Sequence, residues 1–142
     1  MITIQQGDLL NAQGLLLHGC NAQGAMGSGV ALSVKQRWPG VFQLYERFCE
    51  VTPSFQRLGC VVFAETGDGV VVANCITQEF FGKDGAKYAS YDLIDTCMIS
   101  VGEYMAEHAI RTVHMPKIGC GLGGLNWRAV QAIVEHRLQN YD

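Results

Sequence analysis

Three polar side chains crowd the end of an apolar run. His18, Cys20 and Asn21 come directly after Leu15, Leu16 and Leu17. An imidazole titrates near neutral pH, so at a strand end it suits positioning or activating water, or protonating a leaving oxygen. The plainer alternative is a histidine packed at a strand end on one backbone hydrogen bond. Cys20 and Cys120 each lie inside a glycine loop, but no base stands beside either one. Asp92 opens a long helical pattern, with Tyr88 and Tyr91 nearby. It serves either to orient water or as a first-turn carboxylate favoured by the helix dipole.

These groups sit among glycines that suit anion binding. Gly19, Gly24, Gly27 and Gly29 thread the stretch from Leu15 to Val34, which passes from apolar strand to glycine loop to helix-like run. Glycine lets the backbone bend sharply and approach a ligand closely. A helix start offers unpaired N–H groups and the positive end of a dipole. The same design returns at Met115 to Trp127, MPKIGCGLGGLNW. Two such loops fit one ligand with more than one negative group, most simply a diphosphate.

Several familiar readings fail on the residues. Gly24 to Gly29 lacks the lysine and Ser/Thr of a P-loop, since Val30 and Ala31 follow it. Gly119 to Gly124 matches GxGxxG between a strand and a helix, but no acidic residue follows at the end of a next strand, as a dinucleotide fold requires. The six cysteines include no CxxC pair and make no zinc spacing with His18, His108, His114 or His136, so neither metal nor cofactor is expected. They read as small buried hydrophobes of a reducing, cytoplasmic environment. The net charge of −3 leaves no basic footprint for long nucleic acid. No apolar run spans a bilayer, and Met1 to Gln5 does not open a signal peptide.

The elements that must hold the loops follow from periodicity. The 142 residues, 49% hydrophobic, suit one domain over 1–142, expected to be monomeric. Met1 to Gln5 reads as a first strand, ended by Gly7 and Asp8, and Leu15 to Gly19 as a strand buried on both faces. Helices are expected over Gly29 to Trp38, stopped by Pro39, and over Val41 to Cys49, before Thr52-Pro53-Ser54 breaks the chain. Valine-rich Gly59 to Ala64 and Val70 to Ile76 flank Thr66-Gly67-Asp68-Gly69, a hairpin signal. A polar, glycine-broken loop from Thr77 to Lys87 carries Phe80 and Phe81. Tyr88 to His108 is the longest helical pattern, with Tyr91, Ile94, Met98, Val101 and Met105 on one face. Arg111 to Met115 reads as a strand, and Asn126 can cap a last helix in which Val130, Ile133, Val134 and Leu138 face inward. Helices distributed between strands predict a three-layer α/β/α fold with a central mixed sheet. Both glycine loops fall at carboxyl ends of strands, where ligands bind in open α/β sheets.

The combined pattern of LLHGCNAQGAMGSGVAL and MPKIGCGLGGLNW resembles the macrodomain, an ADP-ribose-binding module, over nearly the whole chain. It is most similar to the branch holding yeast-type ADP-ribose-1″-phosphate phosphatases and terminal ADP-ribose glycohydrolases. The resemblance implies that Asp8, with Leu9 beside it, contacts the adenine and that Asn21 holds the distal ribose. It implies a first diphosphate loop at Gly27, Ser28, Gly29 and Val30, and a second at Gly119, Cys120, Gly121, Leu122, Gly123 and Gly124. Phe80 and Phe81 are then expected to cover the distal ribose, or to anchor the core, with Phe81 the one placed in the ligand site. His18, Asn21 and Asp92 are the catalytic candidates, because a histidine occupies the position of His18 in the yeast-type phosphatases.

The implied partner is ADP-ribose or ADP-ribose-1″-phosphate, and the implied activity is release of the terminal phosphate. The alternatives are removal of ADP-ribose from protein or nucleic acid, and binding without turnover. The glycohydrolase branch uses a lysine where Gln78 stands, with Lys83 or Lys87 as possible substitutes, and the human enzyme's second-loop aspartate is replaced by Gly123-Gly124. The family usually adds a strand after the last helix, for which Gln139 to Asp142 leaves little length.

Overall fold

A computed structural model of the chain describes residues 2–3, 6–80, 89–120 and 123–138. Strand β1 (Gly14–Asn21) runs through the centre, with Leu15, Leu16 and Leu17 buried. The Gly24–Ser28 loop leads into helix α1 (Gly29–Arg37), and helix α2 (Pro39–Val51) follows after Trp38 alone. Pro39 does more than stop α1. It occupies the first turn of α2, where its missing N–H costs nothing and its fixed φ suits the helix. Pro53 breaks the chain as expected, yet a single turn, α3 (Ser54–Arg57), starts directly after it.

Strands β2 (Val61–Glu65) and β3 (Val70–Gln78) form the expected antiparallel hairpin, closed by the Thr66 N–H donating to Val70 O at 3.1 Å. Helix α4 (Tyr91–Glu107) begins three residues later than its apolar pattern suggested. Ser90 caps it, with Oγ accepting from the Leu93 N–H. Strand β4 shrinks to Val113–His114, and α5 (Trp127–Leu138) ends the described chain. The strand expected over Met1 to Gln5 falls largely outside the described residues, and Ile2 and Thr3 carry no strand pairing.

The sheet order is β2-β3-β1-β4, with β3, β1 and β4 parallel and β2 antiparallel, so the sheet is mixed. Alternate residues of β1 serve opposite layers. Leu15 and Leu17 pack with Ala73 and Cys75 against α4 and α5. Leu16 packs with Val72 against Val34 of α1 and Val41 of α2. The result is the expected three-layer α/β/α arrangement, and burial of each leucine stabilises it by roughly 1.5–3 kcal/mol. A one-residue slip of β1 would turn His18 into the apolar α4/α5 layer, so the side-chain pattern fixes the register. All six cysteines are free. Among the described residues, no helix is long and apolar enough to cross a membrane.

Because β3, β1 and β4 are parallel, their carboxyl ends lie at the same end of the sheet. The first glycine loop leaves β1 there, and the second follows β4.

Candidate functional site

The first loop is held by side chains beneath it. Asn21 ends β1 at a register shift against β3. Its Nδ2 donates to Ala25 O at 2.9 Å, and its Oδ1 accepts from the Gln23 N–H at 2.9 Å. The hydroxyl of fully buried Tyr45, from α2, lies 2.6 Å from Asn21 O and 2.9 Å from Asn21 Oδ1, and accepts from the Gly24 N–H. Burial pushes that phenol well above its ordinary pKa, so it stays a donor. Asn21 therefore organises the loop and is itself buried, with 9% of its surface exposed.

The loop delivers Gly29 to the start of α1 at φ +61°, a conformation L side chains rarely adopt. Ser28 is the N-cap but makes no side-chain capping hydrogen bond. The first-turn N–H groups of α1 are thus left for a ligand, and the dipole there favours negative charge.

A cleft of about 1450 Å³ opens beside this helix start. Four of the expected ligand residues share its walls: Asp8, Leu9, Gly29 and Val30. Asp8 caps a short 3-10 turn over Leu9–Asn11, with Oδ1 accepting from the Leu10 N–H at 3.0 Å. The carboxylate is held in place while its other oxygen remains available. Ser33, Lys117 and Trp127 also line the cleft and escaped the sequence reading. Ser33 lies one helical turn beyond Gly29, a spacing that would have found it. Lys117 and Trp127 flank the second loop and carry no signal by themselves.

The second loop is held by packing. Gly119 has φ +76°, and a Cβ there would lie 3.0 Å from Ile94 Cδ1 and from Leu125 Cδ1. A Cβ on Gly123 would lie 2.6 Å from Gly119 O. The loop is fastened to the start of α4 by the Ala89 N–H donating to Gly123 O, and closed by the Leu125 N–H donating to Gly119 O. Cys120 Sγ lies 3.4 Å from Ile118 O, and burial pushes the thiol pKa up, so it is a poor nucleophile. Gly124 has φ +81°. Asp92 sits in the first turn of α4, on a small depression shared with Ala89, Ser90 and Tyr91. Gly121, Leu122 and Phe81 lie outside the described residues, as do Lys83 and Lys87.

The cleft walls do not include Asn21, Gly27, Ser28, Asp92 or the described second-loop glycines. They do not include His18 either, and here the geometry corrects the expectation of a water-activating imidazole. The His18 side chain is fully buried on the α1/α2 side of the sheet, with Nε2 2.6 Å from Asn74 Oδ1 on β3. Burial lowers its pKa to about 4. At neutral pH the ring is uncharged and has no solvent contact. The alternative of a histidine packed at a strand end describes it better, although its partner is a side chain and not the backbone.

Gln78 ends β3 opposite Asn21, and its Nε2 donates to Phe80 O at 2.6 Å. Phe80 is exposed, so it does not anchor the core. The loop and the end of β3 are stitched together by the Ala22 N–H and Gln23 Nε2, both donating to Glu79 O.

The fold is shared with known proteins. A family model described as Macro domain matches residues 17–134. The solved macrodomain of Mycobacterium tuberculosis DarG superposes with a TM-score of 0.84 at 32% identity, covering 99% of this chain and 91% of that one. Among curated proteins, the chain is 36% identical over 138 residues to the DNA ADP-ribosyl glycohydrolase of M. tuberculosis. That match covers 92% of this chain but 37% of the relative, so the chain spans about a third of that protein's length. It is 28% identical over 159 residues to the ADP-ribose 1″-phosphate phosphatase of Meyerozyma guilliermondii, covering 92% of this chain and 90% of that protein.

Proposed function

The chain belongs to the macro domain family, and from that premise we propose that it binds ADP-ribose and hydrolyses ADP-ribose-1″-phosphate to ADP-ribose and phosphate. The observation that carries the reading is the placement of two glycine loops at the same end of three parallel strands. One of them opens α1 at Gly29, with φ +61° and no side-chain cap, on a cleft that also holds Asp8. Backbone N–H groups can bind a diphosphate without lysine or arginine, which suits a chain of net charge −3.

In this reading the adenine lies toward Asp8 and Leu9, and the diphosphate along Gly27 to Val30. The distal ribose and its phosphate lie toward the second loop. Water adds to the terminal phosphorus, and the bond to the sugar oxygen breaks, with that oxygen leaving protonated. Loop N–H groups stabilise the charge on the phosphoryl oxygens. Asp92, beside the second loop at the start of α4, orients the water.

Hydrolysis is common to the activities of both kinds of relative. The terminal phosphate is preferred as the target because Gln78 stands where the glycohydrolase branch uses lysine, and an amide forms no covalent adduct with a sugar. The chain also matches most of the yeast phosphatase's length. The second reading, removal of ADP-ribose from a macromolecule, is favoured by the higher identity to the mycobacterial glycohydrolase.

The test is calorimetry with ADP-ribose, then phosphate release from ADP-ribose-1″-phosphate in the same sample. Binding with release supports the proposal. Binding without release moves the weight to the second reading or to a non-catalytic binder. Gly29→Glu is expected to lower ADP-ribose affinity at least hundredfold, because its carboxylate meets the diphosphate. Normal binding by that variant would remove the loop from the site.

A further inference from the structure

We infer that Asn74 and His18 form a buried positioning pair that sets the carboxyl end of β1, and with it the first glycine loop. Asn74 lies outside both glycine loops, and no sequence signal marked it. The inference rests on the proposed role of that loop in binding ADP-ribose.

The geometry is closed on every side. His18 and Asn74 are direct register partners on β1 and β3, and neither has any solvent exposure. Asn74 Nδ2 donates to Val62 O of β2 at 2.9 Å, which fixes the carboxamide with Oδ1 toward His18. Asn74 Oδ1 is then an acceptor, so His18 Nε2 carries the hydrogen of their 2.6 Å bond. The pair ties three adjacent strands together by side chains, at one level of the sheet. Two residues further along β1, between Cys20 and Asn21, the register against β3 shifts. Asn21 then fastens Gln23 and Ala25 on the way to Gly29. A displaced His18 would move the shift, and the loop would follow.

The titratable neighbour of the pair is the Cys20 thiol, with Sγ 3.6 Å from His18 Nε2, and burial holds it protonated. Tyr45 and Cys49 lie in the same buried cluster as Cys20 and are also kept neutral by burial. The arrangement of Cys20, His18 and Asn74 has the residue types of a nucleophilic triad. It is buried from solvent and has no ionised member at neutral pH. An apolar pair of the same shape would also fill the space, but would not fix one strand register by direction.

The experiment has two readouts. First, the ring resonances of His18 in the wild-type protein are followed by NMR from pH 5 to 8. The expected result is one Nε2–H tautomer without titration. Second, ADP-ribose affinity and kcat are measured for His18→Gln and Asn74→Leu. His18→Gln keeps a side-chain amide to face Asn74 and should hold kcat within about threefold. Asn74→Leu should weaken ADP-ribose binding about tenfold with little change in kcat.

Titration of His18 between pH 6 and 7, or a hundredfold loss of kcat in His18→Gln at unchanged affinity, would make it a catalytic acid or base and overturn the pair. If the wild type does not bind ADP-ribose, the proposed function fails, and the pair is still scored by amide exchange. Faster exchange over Gln23 to Gly29 in Asn74→Leu, with the second loop unchanged, supports it. An even change across both loops overturns it.

Discussion

The two glycine loops lie at the same end of the sheet but are held in opposite ways. Beneath the first lie two hydrogen-bonded polar pairs, His18 with Asn74 and Tyr45 with Asn21. Beneath the second lies an apolar floor, with Gly119 against Ile94 and Leu125 and Gly123 against Ala89. A Cβ on Gly27 or Gly29 would meet nothing within 4 Å, whereas one on Gly123 would strike backbone. Glycine at position 29 of the first loop answers to backbone conformation, with open space beside it. In the second it answers to packing as well. The first loop can therefore change its ligand behaviour with the fold intact, while the second cannot be altered without disturbing the core.

The strongest way to break this contrast is Gly123→Val. The clash is with Gly119 O at 2.6 Å, so relief requires movement of backbone and not of a flexible side chain. Overpacking typically costs roughly 1–3 kcal/mol, and a clash with backbone falls at the upper end, about 3 kcal/mol. Thermal unfolding should show a drop of about 10 °C, at roughly 2–4 °C per kcal/mol for a domain of this size. An unchanged midpoint would mean that the second loop is as open as the first.

The next effect distinguishes the floors by pH. The folded pKa of His18 is lowered to about 4 by burial, against an ordinary value of 6.5. Above pH 6.5 both folded and unfolded chains hold the ring neutral, and it adds no pH dependence. Between pH 6.5 and 4 the unfolded chain binds a proton that the folded chain refuses. Stability therefore falls as pH drops through that window, by on the order of 3 kcal/mol. Denaturant unfolding at pH 7 and at pH 4.5 should show a smaller acid loss in His18→Gln than in the wild type. Equal losses would place the acid sensitivity elsewhere than under the first loop.

The contrast also marks what the sequence could and could not reveal. Both loops were legible, because strand, glycines and helix follow one another directly in each. The hairpin at Thr66 to Gly69 and the inward faces of α4 and α5 were legible for the same local reason. His18 was misplaced because adjacency to a glycine loop does not say which side of a strand a side chain takes. Its burial depends on Asn74, distant by 56 positions and brought opposite only by parallel pairing. The loop partners of Asn21, Ala25 O and the Tyr45 hydroxyl, were not legible, because they exist only once the loop has closed and α2 has docked. Lys117 and Trp127 lie at the two ends of the second glycine stretch, and only the fold turns them toward the cleft beside Gly29.

The smallest effect is the most pointed. Gly29→Ala adds one methyl group at φ +61°, with nothing within 4 Å of it. The cost is conformational alone, about 1–2 kcal/mol for an L residue in the left-handed region. The same substitution at Gly119, φ +76°, carries that cost and adds contacts at 3.0 Å with Ile94 and Leu125. The difference in stability between the two variants thus isolates packing from backbone strain. Gly29→Ala should unfold only slightly earlier than the wild type, and Gly119→Ala clearly earlier than either. ADP-ribose affinity should run the other way per unit of stability lost, because the methyl group on Gly29 stands in the cleft wall. If the two variants lose stability equally, strain accounts for both positions, and packing is not what separates the loops.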